Sequence, residues 1–173
     1  MLSINFRFAL LFVILVLLQV TLFNRVMLGG YINPQVYVFF ILLLPLTIAG
    51  WALLLLSFFL GFVIDIFLDS MAIHTAASVF MAFCRPLVVK ITIGQPQAEE
   101  SKSPSYGDFG FFSLLLYSLI LIFLHHICLF FLEVFHFSEF SATLLRSVYS
   151  TAISLLFVLI AFALSENLIA SKR

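Results

Sequence analysis

Leu53-Leu54-Leu55-Leu56-Ser57-Phe58-Phe59-Leu60-Gly61-Phe62-Val63-Ile64-Asp65 opens the stretch that decides the fold. It continues through Ile66-Phe67-Leu68-Asp69-Ser70 into a second apolar run carrying His74, Ser78 and Ala82, and closes on Arg85-Pro86. Small or polar residues recur every four positions on both sides of the break: Ser57, Gly61, Asp65, then His74, Ser78, Ala82. A four-residue step keeps side chains on one helix face. The stretch reads as a helical hairpin with one small-and-acidic seam for helix packing and partner binding, made of Ser57, Gly61, Asp65, Asp69, His74, Ser78 and Ala82. Centring the turn near Asp69-Ser70 pairs Asp65 with His74, Gly61 with Ser78, and Ser57 with Ala82. Small residues then face small residues, as close helix packing in lipid favours.

Working outward, composition sets the class. Of 173 residues, 64% are hydrophobic and 9% charged, against about 25% charged in a soluble domain. The chain is expected to be an all-α, polytopic membrane helix bundle, a single membrane domain over 1–173. Its net charge of zero, with no basic stretch interleaved with aromatics, argues against nucleic acid. Cys84 and Cys128 form no CxxC pair, and no P-loop pattern occurs.

Six spans are expected, at about 6–23, 34–49, 51–68, 71–89, 109–132 and 141–164. The first, flanked by Arg7, reads as a retained signal-anchor, with Gln19 and Thr21 near its outer end where polar groups cost little. Asn33-Pro34 reads as a helix start, Asn as N-cap and Pro in the first turn. The second span is short, at about 24 Å against a hydrocarbon core of about 30 Å. Pro45 also removes one of its backbone bonds. Gly50-Trp51 marks the next turn, and Pro86 is expected to kink or end the fourth span. A polar linker, 93–108, follows. Six spans place both termini on one side. The positive-inside rule makes that side cytoplasmic: Arg7, Arg85, Lys90, Lys102, Lys172 and Arg173 fall inside, and only Arg25 and Arg146 outside.

Asp65 carries two readings. A mid-membrane Asp costs about 3 kcal/mol, and the thirteen Leu, Ile, Phe and Val residues between Trp51 and Leu68 return roughly 6 kcal/mol, so the helix inserts with its acid. Asp65 is then either an acid reaching the interface one turn from the helix end, or a packing and partner-binding acid facing His74 or Thr75. Arg85 lies roughly 16 Å deeper than His74, so no direct Asp65–Arg85 bridge is expected. His125, His126, Cys128, Glu133 and His136 invite a metal reading. Adjacent helical residues point about 100° apart, however, and no ligand spacing matches; interfacial polar residues are the better account, and no metal or cofactor is expected. In the sixth span Ser147, Thr151 and Ser154, with Thr143 and Ser150, form a secondary packing face, a hydroxyl-lined solute path being the alternative. Arg146 is expected to snorkel outward or to find Glu133 or Glu139. No catalytic constellation is legible, so no enzyme is expected.

Leu60-Gly61-Phe62-Val63-Ile64-Asp65-Ile66-Phe67 and the following Met71-Ala72-Ile73-His74-Thr75-Ala76 resemble the rod shape-determining MreD family. That family has a Gly, three apolar residues and an Asp near the end of one span, then a break and a "Gly-apolar-His/Asn-apolar-Ala" opening. Ala72 stands where that family usually has glycine, and Thr75 where an apolar residue is common. The resemblance implies a fold similar to the six-helix substrate-binding subunits of vitamin importers. It further implies a non-catalytic scaffold in the bacterial cytoplasmic membrane, concerned with cell shape and peptidoglycan synthesis. The implied partners are an MreC-like single-span protein and membrane lipid and, indirectly, MreB filaments and the wall synthases. The rival reading is a substrate-binding subunit of a vitamin or small-solute importer. The alanine-rich docking face that such subunits carry on the first span is missing here.

Overall fold

The computed structural model describes residues 4–25, 31–94, 104–134 and 139–170. Its helices are α1 (Ile4–Leu18), which runs on into a π-helical turn Gln19–Phe23, α2 (Phe39–Leu43), α3 (Gly50–Leu68), α4 (Ile73–Thr92), α5 (Tyr106–Val134) and α6 (Phe140–Ala170). No β-strand forms among the described residues. Among the described residues, five segments are long and apolar enough to cross a membrane: Phe6–Phe23, Gly50–Leu68, Ile73–Thr92, Phe109–Val134 and Phe140–Ser165. The chain is a multi-pass helical membrane bundle. We call the end where α1 and α3 begin proximal, and the opposite end distal.

α3 forms because an unbroken Leu/Phe run offers no alternative to the helical ladder in a bilayer. α3 packs on α4, α4 on α5, and α5 on α6. Pro86 neither ends nor visibly divides α4, which continues to Thr92. α5 bends at Gly110, whose φ of 75° lies outside the range of L side chains. Most of the 93–108 linker, together with His136, Lys172 and Arg173, lies outside the described residues.

The expected second span differs most. Asn33-Pro34 does not start a helix: residues 33–36 take no regular secondary structure, and only five residues, Phe39–Leu43, are helical. Leu44 leaves the helix at φ −54°, ψ 145°, the extended conformation that a following proline imposes. This discontinuous segment is nonetheless the centre of the molecule, with Val36 to Leu42 between 0 and 6% exposed. Non-helical backbone is tolerated at membrane depth only when protein surrounds it. α1 supplies one wall through Phe8 and Phe12, whose rings stand edge-on to Phe40 at 6.5 and 5.4 Å. On the other side Phe162 of α6 meets Phe39 at 5.0 Å. Because α2 is so short, an apolar groove of about 550 Å³ stays open at the proximal end between α1, Pro45 and Leu56.

Candidate functional site

The distal tip of the α3–α4 hairpin is built on Asp65. A helix begins with backbone N–H groups that have no partner inside it. In α4 these include His74 and Thr75, and the residue at the capping position, Ala72, has no hydrogen-bonding side chain to offer. Asp65 supplies the cap from the neighbouring helix. Its Oδ1 accepts from the His74 N–H at 3.0 Å and its Oδ2 from the Thr75 N–H at 2.8 Å. Three side chains complete the shell: the Ser70 hydroxyl (2.5 Å), His74 Nδ1 (3.0 Å) and the Thr75 hydroxyl (2.5 Å). A carboxylate at a helix N-terminus also meets the positive end of the helix dipole. With five bonds, both oxygens are saturated, an arrangement suited to holding structure together rather than to moving protons.

Gly61 allows the two helices to come this close. A Cβ at Gly61 would stand 2.5 Å from Thr75 Cα and 2.6 Å from the His74 carbonyl oxygen, distances no side chain tolerates. The two helices are therefore in close contact at Gly61, in a register that differs from the symmetric pairing. Gly61 meets the His74–Thr75 backbone rather than Ser78, while Asp65 meets His74 as expected. The turn accounts for the shift: Asp69 (φ 52°) and Ala72 (φ 58°) both adopt the left-handed conformation, tightening the break. Ser57, Gly61, Asp65, His74, Ser78 and Ala82 are all buried. Asp69 is exposed and terminates α3, so it belongs to the tip and not to the seam. Ser57 spends its hydroxyl on the Leu53 carbonyl of its own helix, at 2.8 Å.

A second polar system ties down the central segment. Gln19 is fully buried rather than interfacial. Its carboxamide acts as a substitute peptide group, with Oε1 accepting from the Val36 N–H at 2.7 Å and Nε2 donating to the Pro34 carbonyl at 3.1 Å. From α6, Ser150 accepts the Asn33 N–H (3.2 Å) and Ser154 the Gln35 N–H (2.9 Å). Ser147, Thr151 and Ser154 are buried, and part of that face packs on the non-helical backbone at Asn33 and Gln35. At the other end, Arg85 is 2% exposed. It donates to the Leu42, Leu44 and Pro45 carbonyls and to the Tyr117 hydroxyl, which itself donates to Leu42. The guanidinium sits at the negative end of α2 and collects the carbonyls left free where the helix stops. It lies apart from Asp65, as the depth argument predicts.

His125 and His126 are wholly buried, not interfacial. His125 Nε2 meets the Tyr37 hydroxyl at 2.8 Å, while His126 Nδ1 donates to the Ile122 carbonyl at 2.9 Å and its Nε2 lies 3.4 Å from Ser154. The two rings turn to different partners. Among the described residues no three His, Cys, Asp or Glu side chains converge as a metal ion requires. Arg146 pairs with Glu133 at 3.1 Å, covers the Phe130 ring and donates to the Tyr31 carbonyl, fastening the distal rim. In the sequence Tyr37 and Tyr117 carry no assigned role, Arg85 counts only among the cations expected on the cytoplasmic side, and Gln19 is placed near the outer interface. The available signal was the coincidence of a proline-interrupted, undersized span with isolated Gln and Arg in its apolar neighbours. Comparison of the chain with protein-family models, curated proteins and solved structures finds no match.

Proposed function

We propose that this protein is a non-catalytic membrane scaffold of the bacterial cell-elongation machinery. In this reading it binds an MreC-like single-span protein and helps connect MreB filaments to the peptidoglycan synthases. It sits in the cytoplasmic membrane with both termini inside. The observation that supports the reading is the use made of Gly61 and Asp65, the residues that carry the resemblance. They are spent entirely on locking the α3–α4 tip, which leaves Phe67 (58% exposed) and Met71 (95% exposed) held outward on a rigid frame. Exposed apolar side chains on a fixed backbone suit a protein that presents a surface.

The test is crosslinking and co-purification from native membranes. Recovery of a single-span protein of the MreC type supports the scaffold, with Gly61→Leu reducing recovery more than Phe58→Leu. A specific observation also favours the importer reading: a discontinuous segment at the bundle centre, which in transporters marks binding sites. Recovery of an ATPase pair together with a bound vitamin would replace the scaffold reading with that one.

A further inference from the structure

At the proximal end the bundle lacks one wall. α2 stops at Leu43 and α3 begins only at Gly50, so the helix that a full second span would supply is missing over that depth. The apolar groove of about 550 Å³ takes its place. Every side chain that lines it is apolar, among them Ala9 and Val13 of α1, Leu44 and Pro45, and Leu56 of α3. It lies along the membrane-spanning stretches of α1 and α3. Ala9 and Val13 are exposed, so the groove opens toward lipid. Water does not suit it, since a bound water needs about two to four polar partners and no lining side chain offers one. A helix does not suit it either: one turn with its side chains, about 5.4 Å long and 10–12 Å across, fills roughly 500 Å³ by itself. A thin, flexible hydrocarbon chain fits both the lining and the size.

The charge around the groove has one sign. The acidic side chains that the structure describes, Asp65, Asp69, Glu133 and Glu139, all belong to the distal end, whereas the proximal end carries Arg7, Arg85 and Lys90. Arg85 stands directly behind the groove, for it donates to the carbonyls of Leu44 and Pro45, two of the residues that line it. Neither ion pair among the described residues, His74 with Asp65 or Arg146 with Glu133, includes it. Backbone carbonyls solvate a guanidinium without neutralising it, and a charge 2% exposed is poorly screened. Basic pockets between membrane helices are where anionic lipid head groups bind. We propose that this groove holds an acyl chain of an anionic phospholipid, with the phosphate at the proximal mouth in the field of Arg7, Arg85 and Lys90. The lipid would then supply the negative charge that the described residues do not. The inference needs only that the bundle lies in a bilayer, so it stands independently of the scaffold reading.

Native mass spectrometry of the full chain tests it, with phosphatidylglycerol or phosphatidylcholine of identical acyl chains supplied in mild detergent. Phosphatidylglycerol should be retained at least about fivefold more strongly, the factor that one basic residue contributes near a lipid surface. Ala9→Trp, which fills the groove from its exposed rim, should bring that retention down to the level of phosphatidylcholine. Phe83→Trp, on a side chain 72% exposed and outside the groove lining, should leave it unchanged. Equal retention of the two lipids by the parent chain overturns the inference, as does retention of phosphatidylglycerol indifferent to Ala9→Trp. A dimer mass that Ala9→Trp abolishes, with no lipid retained, assigns the groove to a second copy and overturns it too. Val13→Phe replaces Ala9→Trp if that variant does not assemble, and the comparison of the two lipids on the parent chain decides alone if neither does.

Discussion

Ala72 holds a left-handed backbone (φ 58°), a conformation costing an L residue roughly 1–2 kcal/mol. Glycine adopts that conformation without the cost. Ala72→Gly is therefore expected to stabilise the protein by about 0.5–1 kcal/mol, after the entropy that glycine adds to the unfolded chain. A higher midpoint in detergent-based thermal unfolding checks this. Gly61→Ala has the opposite sign, because its methyl meets backbone and not a flexible side chain. Separating the helices should cost about 1–3 kcal/mol, while Phe58→Leu, on a side chain 43% exposed, should stay within about 0.5 kcal/mol. Asp65→Asn keeps the shape but turns an amide toward N–H donors, and is expected to destabilise by about 2 kcal/mol or more.

α4 and the discontinuous segment pose the same problem: how backbone ends are satisfied where no water is available. In both cases a polar side chain from another element completes the ladder. Asp65 caps the start of α4, Gln19 bridges Pro34 and Val36, and Arg85 gathers the carbonyls beyond α2. Gln19→Leu strands the Val36 and Tyr37 donors and the Pro34 and Asn24 acceptors and is expected to cost about 2–4 kcal/mol. Arg85→Lys cannot span four acceptors with one ammonium group, and should lower the midpoint nearly as far as Arg85→Gln. Equal stability of Arg85→Lys and the parent protein would contradict the clamp. The difference in legibility between elements has a physical cause. α3, α5 and α6 were readable because an apolar run in lipid can only be helical. The second span was not, because its departure from helix depends on side chains up to 119 positions away, such as Ser154 on Gln35. Pro45 and the deficient length signalled trouble without saying what would resolve it. Likewise the seam residues were legible from their four-residue spacing, but the register was not, since two strained turn residues set it.

At the scale of the molecule, five helices of membrane-spanning length among the described residues surround one segment that is not a continuous helix. This arrangement puts Trp51, 73% exposed, at the proximal end and Met71 at the distal end. On the proposed topology, with the termini cytoplasmic, Met71→Cys should react with an impermeant maleimide added outside intact cells, and Trp51→Cys only after permeabilisation; the reverse pattern inverts the topology. The claim on which the rest depends is that single polar side chains from neighbouring helices, and not helical ladders alone, hold the backbone in place at depth. Amide hydrogen exchange in nanodiscs tests it directly. The His74, Thr75 and Val36 amides should be protected like those in the middle of α3. Asp65→Ala should release His74 and Thr75 alone, and Gln19→Leu should release Val36. Rapid exchange at these amides in the parent protein, or protection indifferent to both substitutions, would contradict the account.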